Sequence, residues 1–176
     1  MRKVAGVQIP EKFQPWLKLI GKIAFLLFAI FIIFFILFGV GRNVGVAMDP
    51  NLKDGELVLF SRAWNSYTNG DVVLYEHDGK MEFSRILALP DQIVDLNSDG
   101  YLTVNGVIES SRAIVDITDD EAFTKAKLLF PYRVPTKQYY LLNDNYDCDD
   151  DSRKFGAVEE KDLKGKAMST LKVRNI

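Results

Sequence analysis

The chain contains one histidine, His77, and one cysteine, Cys148, which limits the chemistry that it can perform. His77 stands between Glu76 and Asp78, and the pair Asp78-Gly79 is typical of a hairpin turn. A Ser-His-Asp triad needs a buried and oriented histidine, so this position favours a solvated loop residue over a catalytic base. One His and one Cys are too few for a zinc site. A lone cysteine also excludes an intramolecular disulfide, so the fold depends on packing alone.

An acidic run, residues 147–151, is the other segment that could support chemistry, namely calcium binding. A helix–loop–helix calcium loop needs Gly at its sixth position and Glu at its twelfth. Counting from Asp147, those positions hold Ser152 and Val158. The run therefore indicates a solvated loop, or one neutralised by Arg153, and we predict neither a metal nor a cofactor.

The elements that must position these residues are mostly short strands. Apolar runs separated by turn signals predict strands at 56–60, 71–75, 83–89, 92–96, 101–106, 139–142 and 164–173. Only residues 119–129 have the pattern of a helix, with acids early and lysines late, as the helix dipole favours. Many short strands and little helix predict a mainly β fold class.

One segment, residues 23–41, differs from the rest because it contains no charged residue. Phenylalanine, isoleucine and leucine dominate it, and no polar face interrupts it. As a helix it would extend about 30 Å, the thickness of the hydrocarbon core of a bilayer. We predict one transmembrane helix over residues 23–41, a cytoplasmic N-terminus over residues 1–22 and an extracytoplasmic domain over residues 42–176.

The orientation follows from the charges that flank the span. Five bases precede it against the single acid Glu11, and Arg42 is the one base close behind it; the five are Arg2, Lys3, Lys12, Lys18 and Lys22. The positive-inside rule then places the N-terminus in the cytoplasm. The chain has 22 Lys and Arg and 24 Asp and Glu, so without those five bases and Glu11 the remainder has 17 bases against 23 acids. This charge excludes nucleic-acid binding.

A cleaved signal peptide is the alternative to a retained anchor. The small residues Gly45-Val46-Ala47 could form its cleavage site. The apolar run is longer than the usual core of a signal peptide, and the basic lead before it is also long, so we favour the retained anchor.

Four segments, in order, resemble the motifs of bacterial type I signal peptidases. These are β-rich, membrane-anchored proteases in which a Ser/Lys dyad cuts leader sequences from exported proteins. The motif Ser-Met-x-Pro-Thr-Leu aligns with Ala47-Met48-Asp49-Pro50-Asn51-Leu52, and Gly-Asp-Ile-Val-Val-Phe aligns with residues 70–75. The third motif, containing Lys-Arg and Leu-Pro-Gly-Asp, aligns with residues 82–92. The last motif, Gly-Asp-Asn followed by Asp-Ser-Arg, aligns with Asn143-Asp144-Asn145 and Asp151-Ser152-Arg153.

The departures from these motifs fall on the dyad. The nucleophilic Ser position holds Ala47, the general-base Lys position holds Ser84, and a supporting Ser position holds Asp149. A dyad acts as a unit, so its loss predicts a protein that is not an enzyme. The resemblance implies that Asp151 and Arg153 persist as a structural pair.

The resemblance also implies a groove that binds an extended peptide by adding it to a sheet edge. The expected groove residues are Gly45, Ala47, Met48, Asp49, Pro50, Leu52, Phe83, Ser84, Arg85 and Ile86. The chain is similar to signal-peptidase-like proteins of Gram-positive pilus systems, some of which lack the dyad. We therefore expect a membrane-bound chaperone or adaptor for an exported polypeptide, with a pilin as partner and a sortase as a second one.

Two alternatives stay open. One is an active leader peptidase with a non-standard nucleophile, such as Ser84 assisted by Asp149. The other is an accessory subunit that regulates an authentic signal peptidase in the same membrane.

Overall fold

The computed structural model describes residues 3–4, 7–8, 13–63, 66–115, 118–127 and 129–171, which form two compact units, residues 1–38 and 39–176. Two of the flanking bases, Arg2 and Lys12, and the predicted strand end at residues 172–173 lie outside the described residues.

The first unit consists of a two-stranded ribbon and one long helix. Strands β1 (Lys3–Val4) and β2 (Val7–Gln8) pair antiparallel, and helix α1 follows over Gln14–Leu37. A proline in the first turn of α1 suits a helix start, where the backbone N–H has no partner in any case. The helix is long and apolar enough to cross a membrane.

The boundaries of α1 differ from the predicted span of residues 23–41. The helix begins earlier and ends at Leu37, and residues 38–42 form strand β3 (Phe38–Arg42) instead. Gly39 and Gly41 in this strand lie against the rings of Phe60 and Phe83, where a Cβ atom would collide. Close packing of the sheet against these glycines, rather than local propensity, ends the helix.

The second unit is built from antiparallel strands. Its strands are β3 (Phe38–Arg42), β4 (Leu57–Ser61), β5 (Val72–His77), β6 (Lys80–Ala88), β7 (Ile93–Leu96), β8 (Leu102–Val104), β9 (Val107–Ile108), β10 (Tyr132–Arg133), β11 (Gln138–Leu142), β12 (Val158–Glu159) and β13 (Leu163–Leu171). Two short helices accompany them, α2 (Asp120–Lys127) and α3 (Ser152–Phe155), with one 3-10 turn at Glu160–Asp162. The mainly β fold class is confirmed.

The strands form two sheets. The larger sheet has seven strands in the order β12-β11-β6-β5-β13-β4-β3, and the smaller has four in the order β10-β7-β8-β9. The predicted hairpin is present between β5 and β6, which pair up to His77 and Lys80. Asp78 and Gly79 both have positive φ, as a two-residue turn of this hand requires.

The apolar core of the second unit divides into three clusters. One of them lies beside the motif at residues 47–52 and consists of Met48, Leu52, Val58, Phe60, Leu74 and Phe83. Met48 and Leu52 anchor that motif to the sheet, because both side chains are buried among the core residues of β4, β5 and β6. The motif is therefore held by packing, although it contains no strand or helix of its own.

Candidate functional site

A cavity of about 210 Å³ lies between two walls. One wall is the end of β3 and the segment that follows it, and the other is the first half of β6. Its lining residues are Arg42, Asn43, Val44, Gly45, Val46, Ala47, Met81, Glu82, Phe83, Asn143, Cys148 and Asp150. We call this cavity the groove. Five of its lining residues are apolar, namely Val44, Val46, Ala47, Met81 and Phe83, and three are charged, namely Arg42, Glu82 and Asp150.

The first wall of the groove is fixed by hydrogen bonds of its backbone. The buried Asn43 donates from Nδ2 to the carbonyls of Leu52 and Lys53, both at 3.1 Å. Gly45, with φ of 84°, donates its N–H to Asp54 Oδ1 at 2.8 Å. This positive φ favours glycine, which has no Cβ to strain.

The same wall is tied to the last motif at Ala47. The Ala47 carbonyl accepts a hydrogen bond from Asn145 N at 2.9 Å, and the Val46 carbonyl accepts one from Asn145 Nδ2 at 3.2 Å. Ala47 is thus held at the groove with its methyl group in the lining. A methyl group has no lone pair for nucleophilic attack.

The second wall is a strand edge that is open in part. Strand β11 pairs with β6 only from Arg85 to Ala88, so within the described residues Lys80 to Ser84 have no strand beside them on that side. Ile86 exchanges hydrogen bonds with Gly70 and Asp71 on the β5 side of the strand. Because backbone groups alternate in direction along a strand, those of Phe83 and Met81 point toward the open side.

Strand β3 presents a second open edge to the groove. It is the outermost strand of the seven-stranded sheet in the part of the chain that the structure describes. The Asn43 N–H and carbonyl bond to Glu56 and Gly55, on the side of β4. By the same alternation the backbone groups of Arg42 point away from β4, into the groove.

Ser84 lies behind the groove and is fully buried, with 0% of its surface exposed. Its hydroxyl donates to Asn143 Oδ1 at 3.0 Å. A nucleophilic serine needs an adjacent base to take its proton, and an amide oxygen has no useful basicity. Asp149, which the sequence offers as such a base, is exposed and does not line the groove.

The acidic run is organised by one buried ion pair. Arg153 donates from Nε to Asp151 Oδ1 at 2.9 Å and from Nη2 to Asp151 Oδ2 at 2.8 Å. The same guanidinium donates to the carbonyls of Tyr146 and Cys148, and Asp151 also accepts from Asn143 N at 2.9 Å. This is the pairing that the resemblance implies, and it shapes the loop that forms the third side of the groove.

Arg85 and Asp144 form a second pair beside the groove. The guanidinium donates from Nε and Nη2 to the two carboxylate oxygens, both at 2.6 Å, and from Nη1 to the Gly70 carbonyl. Hydrogen bonding to Asp144 raises the pKa of Arg85, against the opposing effect of burial. Asn51 Nδ2 also donates to Asp144, which links the first and last motifs.

The structure places the expected groove residues in four settings. Gly45, Ala47 and Phe83 line the groove, whereas the side chains of Met48 and Leu52 belong to the core behind it. Two others, Arg85 and Ile86, line a separate cavity of about 120 Å³. Asp49 and Pro50 are outside both linings, as is Ser84.

Several groove residues were not anticipated from the sequence. Val44 and Val46 are exposed beside Ala47, and Met81 faces them from β6. Cys148 is half-buried in the same lining. Alternation of apolar residues at 44 and 46 is the one sequence signal that could have indicated them.

His77 is a structural residue at the end of β5. Its ring stacks on Phe155 with 4.0 Å between centroids and an interplanar angle of 25°. The sequence prediction of a solvated loop histidine is therefore incomplete, since one face of the ring is packed. The ring is not in the lining of the groove.

The chemical capacity of the groove follows from this geometry. In the part of the chain that the structure describes, its lining holds no hydroxyl and no lysine amine. It does present two partly open strand edges and small apolar side chains. Such a site can hydrogen-bond an extended peptide backbone and accommodate small side chains.

Comparison with known proteins identifies the family of this chain. The family described as "Signal peptidase, peptidase S26" matches residues 15–171. The "Inactive signal peptidase IA" of Staphylococcus aureus (strain MRSA252) is 27% identical over 121 residues, which cover 67% of this chain and 70% of the relative. "Signal peptidase I V" of Bacillus subtilis (strain 168) is 29% identical over 134 residues, covering 69% of this chain and 78% of the relative.

A solved structure is also similar. The crystal structure of a signal peptidase I from Enterococcus faecalis V583 matches with 24% identity and a TM-score of 0.46. The match covers 61% of this chain and 100% of that one.

Proposed function

The chain belongs to the signal peptidase family, peptidase S26, and from that premise we propose that it binds an exported polypeptide at the outer face of the membrane without cutting it. The helix Gln14–Leu37 fits a single-pass membrane anchor, as in signal peptidase I. By the positive-inside rule, the basic N-terminus favours a cytoplasmic location for residues 1–22, with the β domain outside the cell.

The observation that carries this proposal is the groove with two open strand edges and Ala47 between them. The backbone of Arg42 offers hydrogen bonds from one side, and the backbones of Met81 and Phe83 offer hydrogen bonds from the other. A peptide strand in this gap would satisfy both edges, which is the mode called β-augmentation. Backbone bonds of this kind supply affinity without a requirement for one exact sequence.

The lining favours small or apolar side chains in the bound strand. Val44 is 77% exposed and Val46 is 52% exposed, which leaves apolar surface for a partner to cover. A volume of about 210 Å³ is below the usual range for a small-molecule pocket, about 300–1,000 Å³, and suits a few side chains of a strand.

The proposal that this chain does not cut its partner is supported by the alanine at 47 and the buried, hydrogen-bonded Ser84. Relatives in Staphylococcus aureus carry the name "Inactive signal peptidase IA", which is consistent with such a role in this family. As partner we propose a pilin during pilus assembly on a Gram-positive surface, with a sortase as the enzyme that receives it.

Binding of a purified candidate pilin to the full-length chain in detergent micelles tests this function. We expect Val44→Asp to weaken binding at least tenfold, because a carboxylate would be desolvated under the bound strand; tenfold corresponds to about 1.4 kcal/mol. The matched control is Val107→Asp, at an exposed valine on strand β9 outside the groove.

Equal binding by the native chain and Val44→Asp would refute the groove as the binding site. Mass spectrometry of the same mixture determines whether the pilin stays intact. A shortened pilin would favour the active peptidase, and co-purification with an authentic signal peptidase in place of a pilin would favour the accessory subunit.

A further inference from the structure

Asn143 lies between the groove and the second cavity and belongs to the lining of both. The second cavity is about 120 Å³ and is lined by Gly70, Arg85, Ile86, Leu87, Glu109, Leu142, Asn143, Asp144 and Tyr146. Among the described residues, no other belongs to both linings. The Asn143 side chain, with only 2% of the residue exposed, is therefore the partition that closes the back of the groove.

Every polar atom of this side chain has a bonding partner. Asn143 Oδ1 accepts the Ser84 hydroxyl at 3.0 Å, and Nδ2 donates to the carbonyls of Cys148 and Asp150, both at 3.3 Å. The two carbonyls can only accept, so the amide nitrogen must face them and the amide oxygen must face Ser84. The orientation of the carboxamide is thus determined by its surroundings.

The side chains at positions 84 and 143 also share a limited space. A lysine side chain is three heavy atoms longer than that of serine, and at position 84 the adjoining space holds the Asn143 carboxamide. In the motif that this segment resembles, position 143 is glycine and position 84 is lysine. Relative to that motif, this chain has a smaller side chain at position 84 on β6 and a larger one at position 143, just after β11. The interior therefore stays filled.

We propose that Ser84 and Asn143 form one coupled space-filling pair, so that a lysine can occupy position 84 only when the side chain at position 143 is removed. The pair closes the back of the groove with a neutral hydrogen bond. A lysine at 84 beside Asn143 would be overpacked and would bring a charge to a buried position. This inference concerns the interior of the domain and does not depend on the pilin or on any other partner.

Thermal unfolding of the full-length chain in detergent, followed by circular dichroism, tests the coupling with a double-mutant cycle. We expect Ser84→Lys to lower the unfolding temperature by more than about 5 °C, and Asn143→Gly to lower it by a smaller amount. If the two losses simply added, they would define an expected unfolding temperature for the double variant. We expect the double variant to unfold at least about 4 °C above that temperature.

A matched control uses Asn43, the other buried asparagine of the groove lining. Its side chain bonds to the carbonyls of Leu52 and Lys53 rather than to Ser84. Ser84→Lys combined with Asn43→Gly should therefore show additive losses. Additive losses in the Ser84→Lys and Asn143→Gly pair as well would overturn the inference.

The test also covers the case in which Ser84→Lys does not fold. Asn143→Gly in that background should then restore a cooperative unfolding transition, and Asn43→Gly should not. Failure of Asn143→Gly to restore it would equally overturn the coupling. Pilin binding by the native chain is a separate measurement, so the inference and the proposed function can fail independently.

Discussion

Gly41 lies against the ring of Phe83, so that a Cβ atom at position 41 would stand 2.8 Å from Phe83 Cζ. This contact joins the two edges of the groove, since Gly41 belongs to β3 and Phe83 to β6. Phe83 is buried in the core cluster with Met48 and Leu52, and it has little room to move aside. The width of the groove is therefore set from inside the domain.

Gly41→Ala should destabilise the fold by about 1–3 kcal/mol, because the added methyl group overpacks the ring of Phe83. Urea unfolding of the full-length chain in micelles measures this difference. Gly21→Ala in helix α1 is the control, since a Cβ there meets nothing within 4 Å. Equal stability of Gly41→Ala and the native chain would show that the two edges can separate freely.

Asp151→Ala should be far more damaging than loss of a surface ion pair. The carboxylate is fully buried and accepts from Arg153 and from Asn143 N, and its removal leaves a largely buried guanidinium unpaired. Breaking a buried pair in this way costs about 3–5 kcal/mol. Chemical unfolding provides the measurement.

The exposed pair of Lys154 and Asp150 supplies the comparison, because its two residues flank Asp151 and Arg153 in the sequence. Lys154→Ala should leave the unfolding midpoint unchanged within error, as expected for a solvated ion pair. A similar loss for both variants would mean that the loop owes its order to net charge and not to the buried bonds.

Asp71 should make the domain sensitive to acid. Burial alone would raise the pKa of its carboxyl group, but hydrogen bonds from Lys166 and Thr68 outweigh burial and lower the pKa below the usual 3.8. The folded state thus favours the charged form of Asp71, which adds to the free energy of unfolding. This contribution is fully present above the unfolded pKa of 3.8 and is lost as the pH falls through the lower folded pKa.

Asp71→Asn should therefore flatten the dependence of unfolding free energy on pH below about pH 4. Urea unfolding at a series of pH values from neutral downward records this slope, with Asp99→Asn at an exposed turn position as the control. An unchanged slope in Asp71→Asn would contradict a role for the bond between Lys166 Nζ and Asp71, which measures 2.7 Å.

Leader cleavage should return only when three positions are changed together. The native chain is expected to leave a leader-bearing precursor intact, and so is the double variant Ala47→Ser with Ser84→Lys, because Asn143 blocks the amine. Adding Asn143→Gly makes room for the lysine side chain at position 84. We expect this triple variant to cleave the precursor at least tenfold faster than the double variant. Gel electrophoresis of the precursor measures product.

Two results of this assay would be decisive in the other direction. Turnover of the precursor by the native chain would reject the non-cleaving function altogether. Equal turnover by the double and triple variants would reject the role given to Asn143, while leaving the binding function in place.

Much of the fold could be predicted from local sequence patterns. The apolar run, the hairpin at Asp78-Gly79 and the longer strands all depend on residues close together in the chain. Strand β3 was missed because Phe38–Gly41 continue the apolar run, and only the distant rings of Phe60 and Phe83 distinguish strand from helix there. Strands of two residues, such as β9 and β12, are too short to carry a pattern.

The site was predictable only where the motifs themselves define it. Ala47 could be placed by its motif, but Asn143 could not, since its role arises from a bond to a residue 59 positions away. The motif predicts Leu52 as an apolar groove residue, whereas its burial in the core depends on the packing of β4 and β5 against it. His77 likewise gains its setting from Phe155, far along the chain.

The position of Cys148 gives this protein a natural reporter. It is the single thiol of the chain and stands half-buried in the wall of the groove. A maleimide dye attached there would sense occupancy directly, with no need to introduce or remove any cysteine. A bound strand should protect this thiol from alkylation, so the alkylation rate of Cys148 would measure binding in the groove.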